Sequence, residues 1–295
     1  MKKRDFGLLL ILGGLWGASF LFIRIASPIL GPFLLVDLRV IISFVALIIY
    51  ALLIGKRPQL RRYWKEYLLL GTYNAAIPFT LISTAGIYLP ASMSAIINST
   101  TPLFTALVAW IWIKEPLTKR KIVGFILGII GVSILIGFRP VSIDDNVILS
   151  SLLIILATIS YGVGGVYASK KLQEVTALDL AIGQQLGAGI LLFPVAMFNL
   201  PTQMPSLEVI YSVMGLALLS TALGYLIYFK LMKEIGPVNT SNVTLLVPVF
   251  SIIWGVLFLN EVITIGTIIG LLLILLSIAI ATKRISLKRR KGKLV

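Results

Sequence analysis

Asn98-Ser99-Thr100-Thr101-Pro102-Leu103-Phe104 opens a stretch that ends in Lys114-Glu115-Pro116-Leu117-Thr118, and the chain repeats its pattern 146 residues later. There Thr244-Leu245-Leu246-Val247-Pro248-Val249-Phe250 leads to Leu259-Asn260-Glu261 and Thr264. Pro102 falls on Pro248, Phe104 on Phe250, Glu115 on Glu261, Thr118 on Thr264 and, beyond, Gly124 on Gly270. Near an offset of 145, Trp16-Gly17 falls on Tyr161-Gly162 and Arg39 on Gln184. Self-similarity at nearly half the chain length means two copies of one unit. The register slips between these blocks, so the third and eighth segments are not aligned residue by residue.

Both copies lie in apolar sequence. Of the 295 residues 58% are hydrophobic and 13% charged, with a mean hydropathy of +1.03. Soluble domains stand near 45–50% and 25%, so a single soluble core is excluded. The apolar stretches fall at 6–27, 33–54, 67–89, 91–113, 122–138, 147–169, 178–198, 209–231, 238–259 and 263–282. About 20 residues at 1.5 Å each cross a ~30 Å hydrocarbon layer. The first stretch follows Lys2, Lys3 and Arg4, but it is too long for a signal-peptide core and no A-x-A site follows, so it is read as a retained helix.

The charges give orientation. With the N-terminus inside, 23 of the 26 Lys and Arg fall in cytoplasmic segments; Arg139 alone falls outside, and Arg24 and Arg39 lie within the bilayer. The positive-inside rule then places both termini in the cytoplasm of a multi-pass protein of the plasma or inner membrane. The net charge of +15 is loop charge, and no nucleic-acid partner is expected. The 56–65 loop and the basic tail at 283–295 should attract anionic headgroups at about 1 kcal/mol per charge.

Five helices per copy is an odd number, so the copies insert in opposite directions. The loop after Glu115 reads Pro-Leu-Thr-Lys-Arg-Lys, while that after Glu261 reads Val-Ile-Thr-Ile-Gly-Thr with no basic residue. The expected fold is an all-α membrane protein: ten transmembrane helices as two inverted-topology five-helix repeats, at 6–138 and 147–282. Such repeats are characteristic of alternating-access transporters.

Trp16-Gly17-Ala18-Ser19-Phe20, then Pro32 and Leu38-Arg39, resemble the opening of an EamA-type domain of the drug/metabolite transporter superfamily. Thr101-Pro102-Leu103-Phe104 leading to Lys114-Glu115-Pro116 resembles that domain's end, and Val247-Pro248-Val249-Phe250 leading to Leu259-Asn260-Glu261 resembles it again. The resemblance spans residues 6 to 282. It implies a central cavity lined mainly by helices 1, 3, 4, 6, 8 and 9, with helices 5 and 10 peripheral. Members of that family export amino acids and other metabolites, or carry nucleotide sugars and cationic drugs. Asp37 departs from the pattern, as does Tyr161 where a Trp is common.

Pro102 and Pro248 each fall roughly 16 Å into a span, near the midplane. An interior proline leaves the i−4 carbonyl unpaired, here those of Asn98 and Thr244. Around them stand Ser99, Thr100 and Thr101 in one copy, and Asn239, Thr240, Ser241 and Asn242 in the other. Unpaired backbone at that depth is tolerated beside a wet cavity. Asn98, Thr101, Asn242 and Thr244 are therefore candidate substrate contacts; the alternative is a pair of kinks repaired by hydroxyls. Trp16 and its mate Tyr161 are mid-depth aromatics suited to a cavity wall, with Tyr73, Asn74, Tyr225 and Tyr228 as further candidates.

Charges within the bilayer cost several kcal/mol unless paired or hydrated. Arg24 and Asp37 flank a short turn and could pair, or Asp37 could carry a coupling proton. Arg39 could hold a substrate carboxylate or snorkel to the interface. Glu115 and Glu261 are expected to cap the next helix with Thr118 and Thr264. Gly124, Gly128 and Gly131, and Gly183 and Gly187, match small-residue packing spacings, which leaves a homodimer open.

With no Cys and no His, thiol chemistry, imidazole ligands and a histidine base are excluded; no metal, no cofactor and no enzymatic activity is expected. The expected function is a secondary transporter, exporting amino acids or similar small metabolites. A carrier of lipid-linked sugars or lipophilic cations is the alternative, although a cation carrier should have an acidic residue in helix 1, which has none. A structural or receptor-like membrane protein is the alternative from another class.

Overall fold

A computed structural model describes residues 3–137, 145–201, 204–240 and 243–282, without the side chains of 229, 232, 233, 236–239 and 282. Among the described residues every regular element is helical. Seven helices are long and apolar enough to cross a membrane, and two shorter apolar ones, Val243–Leu259 and Ile265–Ala281, follow. The chain is a multi-pass, all-helical membrane protein.

The first element, α1 (Lys3–Leu53), covers two of the expected spans. Its continuity is broken at one residue, Gly31, with φ 71° and ψ 158° and prolines at 28 and 32. Only glycine occupies that backbone region without strain. Gly31→Ala should lower stability by roughly 1–3 kcal/mol although a Cβ there would meet nothing within 4 Å. A thermal melt of the detergent-solubilised variant measures this; an unchanged melt would remove the backbone argument.

α2 (Trp64–Gly71) passes through a π-helical turn at Thr72–Ala76 into α3 (Ile77–Ala85). The expected fourth span is broken. α4 (Ala91–Asn98) stops at Ser99 and Thr100, and α5 (Thr101–Ile113) restarts with Pro102 in its first turn. Proline is tolerated there because that N–H has no helical partner. α6 (Lys119–Gly137), α7 (Asp145–Lys171) and α8 (Ala177–Met197) follow. α9 (Leu207–Met214) passes through a second π-helical stretch, Gly215–Leu223, into α10 (Gly224–Thr240). α11 (Val243–Leu259) keeps Pro248 inside it, and α12 (Ile265–Thr282) comes last.

Small residues let the backbones touch. A Cβ on Gly187 would stand 2.3 Å from the Tyr67 carbonyl oxygen, and one on Gly71 2.6 Å from the Ala188 nitrogen. α6 and α12 pack chiefly on each other. Gly124 faces Ser277 and Ala281, while Gly131 faces Gly270 and Ile274, so the two helices run antiparallel. Gly128 rests on Leu103, and Gly183 on the Tyr67 ring. The glycine spacings noted in the sequence thus serve contacts within the chain.

Candidate functional site

Between the helices lies a hollow of about 330 Å³. α1 lends it Trp16, Ser19, Phe20, Ile23 and Arg39. The π turn and α3 lend Asn74, Phe79 and Ile82; the broken fourth span lends Asn98, Ser99 and Thr101; α7 lends Tyr161. Ser220, Tyr225, Tyr228, Thr244 and Val247 complete the wall from the second half of the chain.

The break at Ser99–Thr100 is stitched by hydroxyls. Ser99, Thr100 and Thr101 donate through Oγ to the carbonyls of Ile96, Ile97 and Asn98 at 2.6, 2.7 and 2.6 Å. The carbonyl opposite Pro102 is therefore occupied, as the hydroxyl-repair alternative holds. The Asn98 side-chain Oδ1 is buried without a partner.

Arg39 is 7% exposed. Its Nε donates to Thr221 Oγ1 at 2.9 Å, and its guanidinium lies 3.7 Å from the Phe79 ring centroid. It does not snorkel: cation–π contact and the hydroxyl hold it in the hollow. Phe79 and Tyr161 meet edge to face at 6.3 Å, and Trp16 packs on Tyr225 and Tyr228 at 6.2 and 5.4 Å. One wall is thus cationic and aromatic, the other aromatic and amide- or hydroxyl-bearing.

The Arg24–Asp37 pair expected from the sequence does not form. Arg24 donates instead to the carbonyls of Gly86 (3.0 Å) and Ile87. The reason lies at the end of α3, where the last carbonyls lack helical partners and attract a cation. Asp37 is 2% exposed, its Oδ1 has no hydrogen bond, and it does not line the hollow.

The two glutamates also depart from expectation. Thr118 and Thr264 cap the next helices alone, accepting from the backbone of Lys121 (3.4 Å) and Thr267 (3.1 Å). Glu261 turns away from α12 and accepts from the Ala91 N–H, the Ser92 N–H (3.1 Å) and the Ser92 hydroxyl. It thereby caps α4, whose first N–H groups need acceptors. Gly255 makes room: a Cβ there would stand 2.6 Å from the carboxylate. Glu115 pairs with Lys121 at 2.8 Å on the surface. The two backbones nonetheless match. Lys114 and Asn260 both take a left-handed conformation (φ 58° and 53°), and the next N–H reaches the Ala109 and Gly255 carbonyls respectively.

Of the residues singled out from sequence, Trp16, Arg39, Asn74, Asn98, Thr101, Tyr161, Tyr225 and Thr244 surround one hollow. Asn242 lies outside the described residues, as do Ser241, Arg139 and the 283–295 tail. Pro102 and Pro248 do not line the hollow. Sequence reasoning passed over Phe79 and Ile82, apolar residues in apolar helices, and Ser220.

Contacts between the two halves of the chain come in matched pairs. Arg39 bonds Thr221, and Asn74 donates to Gln184 at 2.7 Å. Ser220 bonds the Leu15 carbonyl and Ser160 the Tyr73 carbonyl, each at 2.7 Å. Gly17 abuts Ser251, and Gly162 abuts Thr105. In each case the second contact is the first with its partners shifted by 145 to 147 residues and exchanged. That aligns Tyr73-Asn74 with Ser220-Thr221, the register the sequence left open.

A family model described as the EamA-like transporter family matches residues 6–137 and 148–283. An uncharacterized transporter of Bacillus subtilis, YvbV, is 26% identical over 96% of this chain and 93% of its own length. Protein PecM of Dickeya dadantii is 26% identical over 99% and 96%. The uncharacterized inner membrane transporter YedA of Escherichia coli is 27% identical over 85% and 81%. A solved crystal structure superposes with a TM-score of 0.67 at 19% identity, covering 96% of this chain and 97% of that one.

Proposed function

This chain belongs to the EamA-like transporter family, and on that premise we propose that it is a secondary transporter that moves amino acids or similar small metabolites outward. Ten spans form two five-helix repeats of opposite orientation, residues 6–138 and 147–282, with both termini on the cytoplasmic side of the inner membrane. The observation that carries this reading is the hollow with its exchanged pairs: Arg39·Thr221 answers Gln184·Asn74 across it. Two oppositely inserted copies of one unit generate such exchange, and the antiparallel course of α6 and α12 supports it. Rocking of one copy against the other would open the hollow to each face in turn. Its amides, hydroxyls and aromatic rings suit a small polar solute rather than a lipid-linked sugar, and the absence of an acid among its described lining residues disfavours lipophilic cations.

Flux of a labelled amino-acid and metabolite panel through proteoliposomes, with and without a pH gradient, tests this. Gradient-dependent movement of at least one solute is expected; none under any gradient would defeat it. Asp37 is the proposed coupling group, a buried acid in the arm of α1 beyond Gly31 whose Oδ1 has no hydrogen bond. Asp37→Asn should abolish the gradient's effect while leaving exchange in place, and undiminished gradient-driven flux would dismiss Asp37.

A further inference from the structure

We infer that this carrier recognises its solute by a carboxylate seated on Arg39, the acid end and not the amino end being the required element. The inference rests on the transport reading and specifies its substrate class. A guanidinium stays charged under all physiological conditions. Arg39 is 7% exposed and lines the hollow. Thr221 takes its Nε and the Phe79 ring covers one face, which fixes the plane of the fork. Among the described residues no acceptor takes either terminal amino group.

No described acidic side chain forms an ion pair with it. Asp37, two residues away, points elsewhere, because positions i and i+2 of a helix do not share a face. Among the described residues the hollow therefore holds a cation without a side-chain anion, an arrangement costly at membrane depth unless the site is hydrated. A planar carboxylate matches the free edge of the fork with two parallel charge-assisted hydrogen bonds. It cancels the charge at the same time.

The amino end of an amino acid finds no such complement. Among the described residues the lining holds no Asp or Glu. The Asn98 Oδ1 is a neutral acceptor, buried without a partner, and carries no charge to match an ammonium. What faces an ammonium is hydroxyls, the Asn74 amide and the Trp16, Tyr225 and Tyr228 rings, neutral groups that hydrate or cover it without cancelling its charge. The acid end is thus the required element.

Matched triads of alanine, leucine and phenylalanine, each with its deaminated acid and its decarboxylated amine, isolate the two ends. The readout is stabilisation of the purified full-length protein against heat. At least one amino acid and its deaminated acid should stabilise to a similar degree, and no amine should. Arg39→Gln should weaken the acid's binding about tenfold or more without restoring any response to amines. Stabilisation by an amine, or by none of the carboxylates, overturns the inference, and so does undiminished binding in Arg39→Gln. If that variant does not fold, the wild-type triads decide alone. Failure here leaves the transport reading intact provided any solute moves in the flux panel; if none moves, the transport reading fails first.

Discussion

Glu261→Ala should loosen the turn between α3 and α4 and open the hollow at that face. Wild-type Glu261 accepts two backbone N–H groups and a hydroxyl at the start of α4, across 170 residues of chain from Ala91. Arg24 holds the other side of the same turn through the Gly86 and Ile87 carbonyls, and the Ser27 hydroxyl donates to the Ser83 carbonyl at 2.7 Å. The turn is therefore clamped from α1 and from α11 together. Deleting a charged cap of this kind costs about 1.5–3 kcal/mol. Glu115→Ala, by contrast, breaks a surface pair worth under about 1 kcal/mol. The chain has no native cysteine, so a Ser99→Cys reporter in the hollow can be labelled with a membrane-impermeant maleimide without background. Glu261→Ala should melt earlier and label several-fold faster from the exterior, whereas Glu115→Ala should do neither. Equal labelling of all three proteins would show that Glu261 does not close that face.

Gly187→Val should be the most damaging single change in the packing. A Cβ on Gly187 would lie 2.3 Å from the Tyr67 carbonyl oxygen and 3.0 Å from the Leu68 Cα. Both obstacles are backbone, so no rotamer change relieves them. Overpacking typically costs 1–3 kcal/mol, and the upper end or beyond is expected when two helix backbones must part. In a bilayer the loss is not offset by hydrophobic burial, since lipid tails are as apolar as the interface and association relies on close packing. The variant should express poorly and melt well below wild type. Gly165→Val, whose Cβ meets nothing within 4 Å, should behave like the parent. A Gly187→Val protein that melts with the parent would refute the contact.

What the sequence revealed and concealed divides along one line. Prolines at equal offsets, mid-depth Trp16 and Tyr161, and bilayer charges such as Arg39 are rare residue types in apolar helices, so their positions carry information. Trp16, Tyr161 and Arg39 stand around one hollow, and each proline adjoins a residue that lines it, Thr101 or Val247. Phe79 lies there too, beneath the arginine, but a phenylalanine in an apolar helix has no signature of its own. The Arg24–Asp37 pairing was drawn from nearness along the chain; the carbonyls ending α3 are far in sequence and better placed in space. Glu261 was expected to serve the helix that follows it for the same reason. The pairing of Tyr73-Asn74 with Ser220-Thr221 is hidden in the sequence because its offset of 147 matches neither flanking block, at 145 and 146, and the paired residue types differ.

Gly31 joins the two arms of α1 with no loop between them. One arm carries Trp16 and the other Arg39, both on the wall of the hollow. A single pair of backbone angles therefore sets the gap between ring and guanidinium, as the pivot of a caliper sets its jaws. A few degrees of rotation at that pivot, carried along some ten residues of rigid helix, would widen or narrow the grip, with every other bond in either arm unchanged.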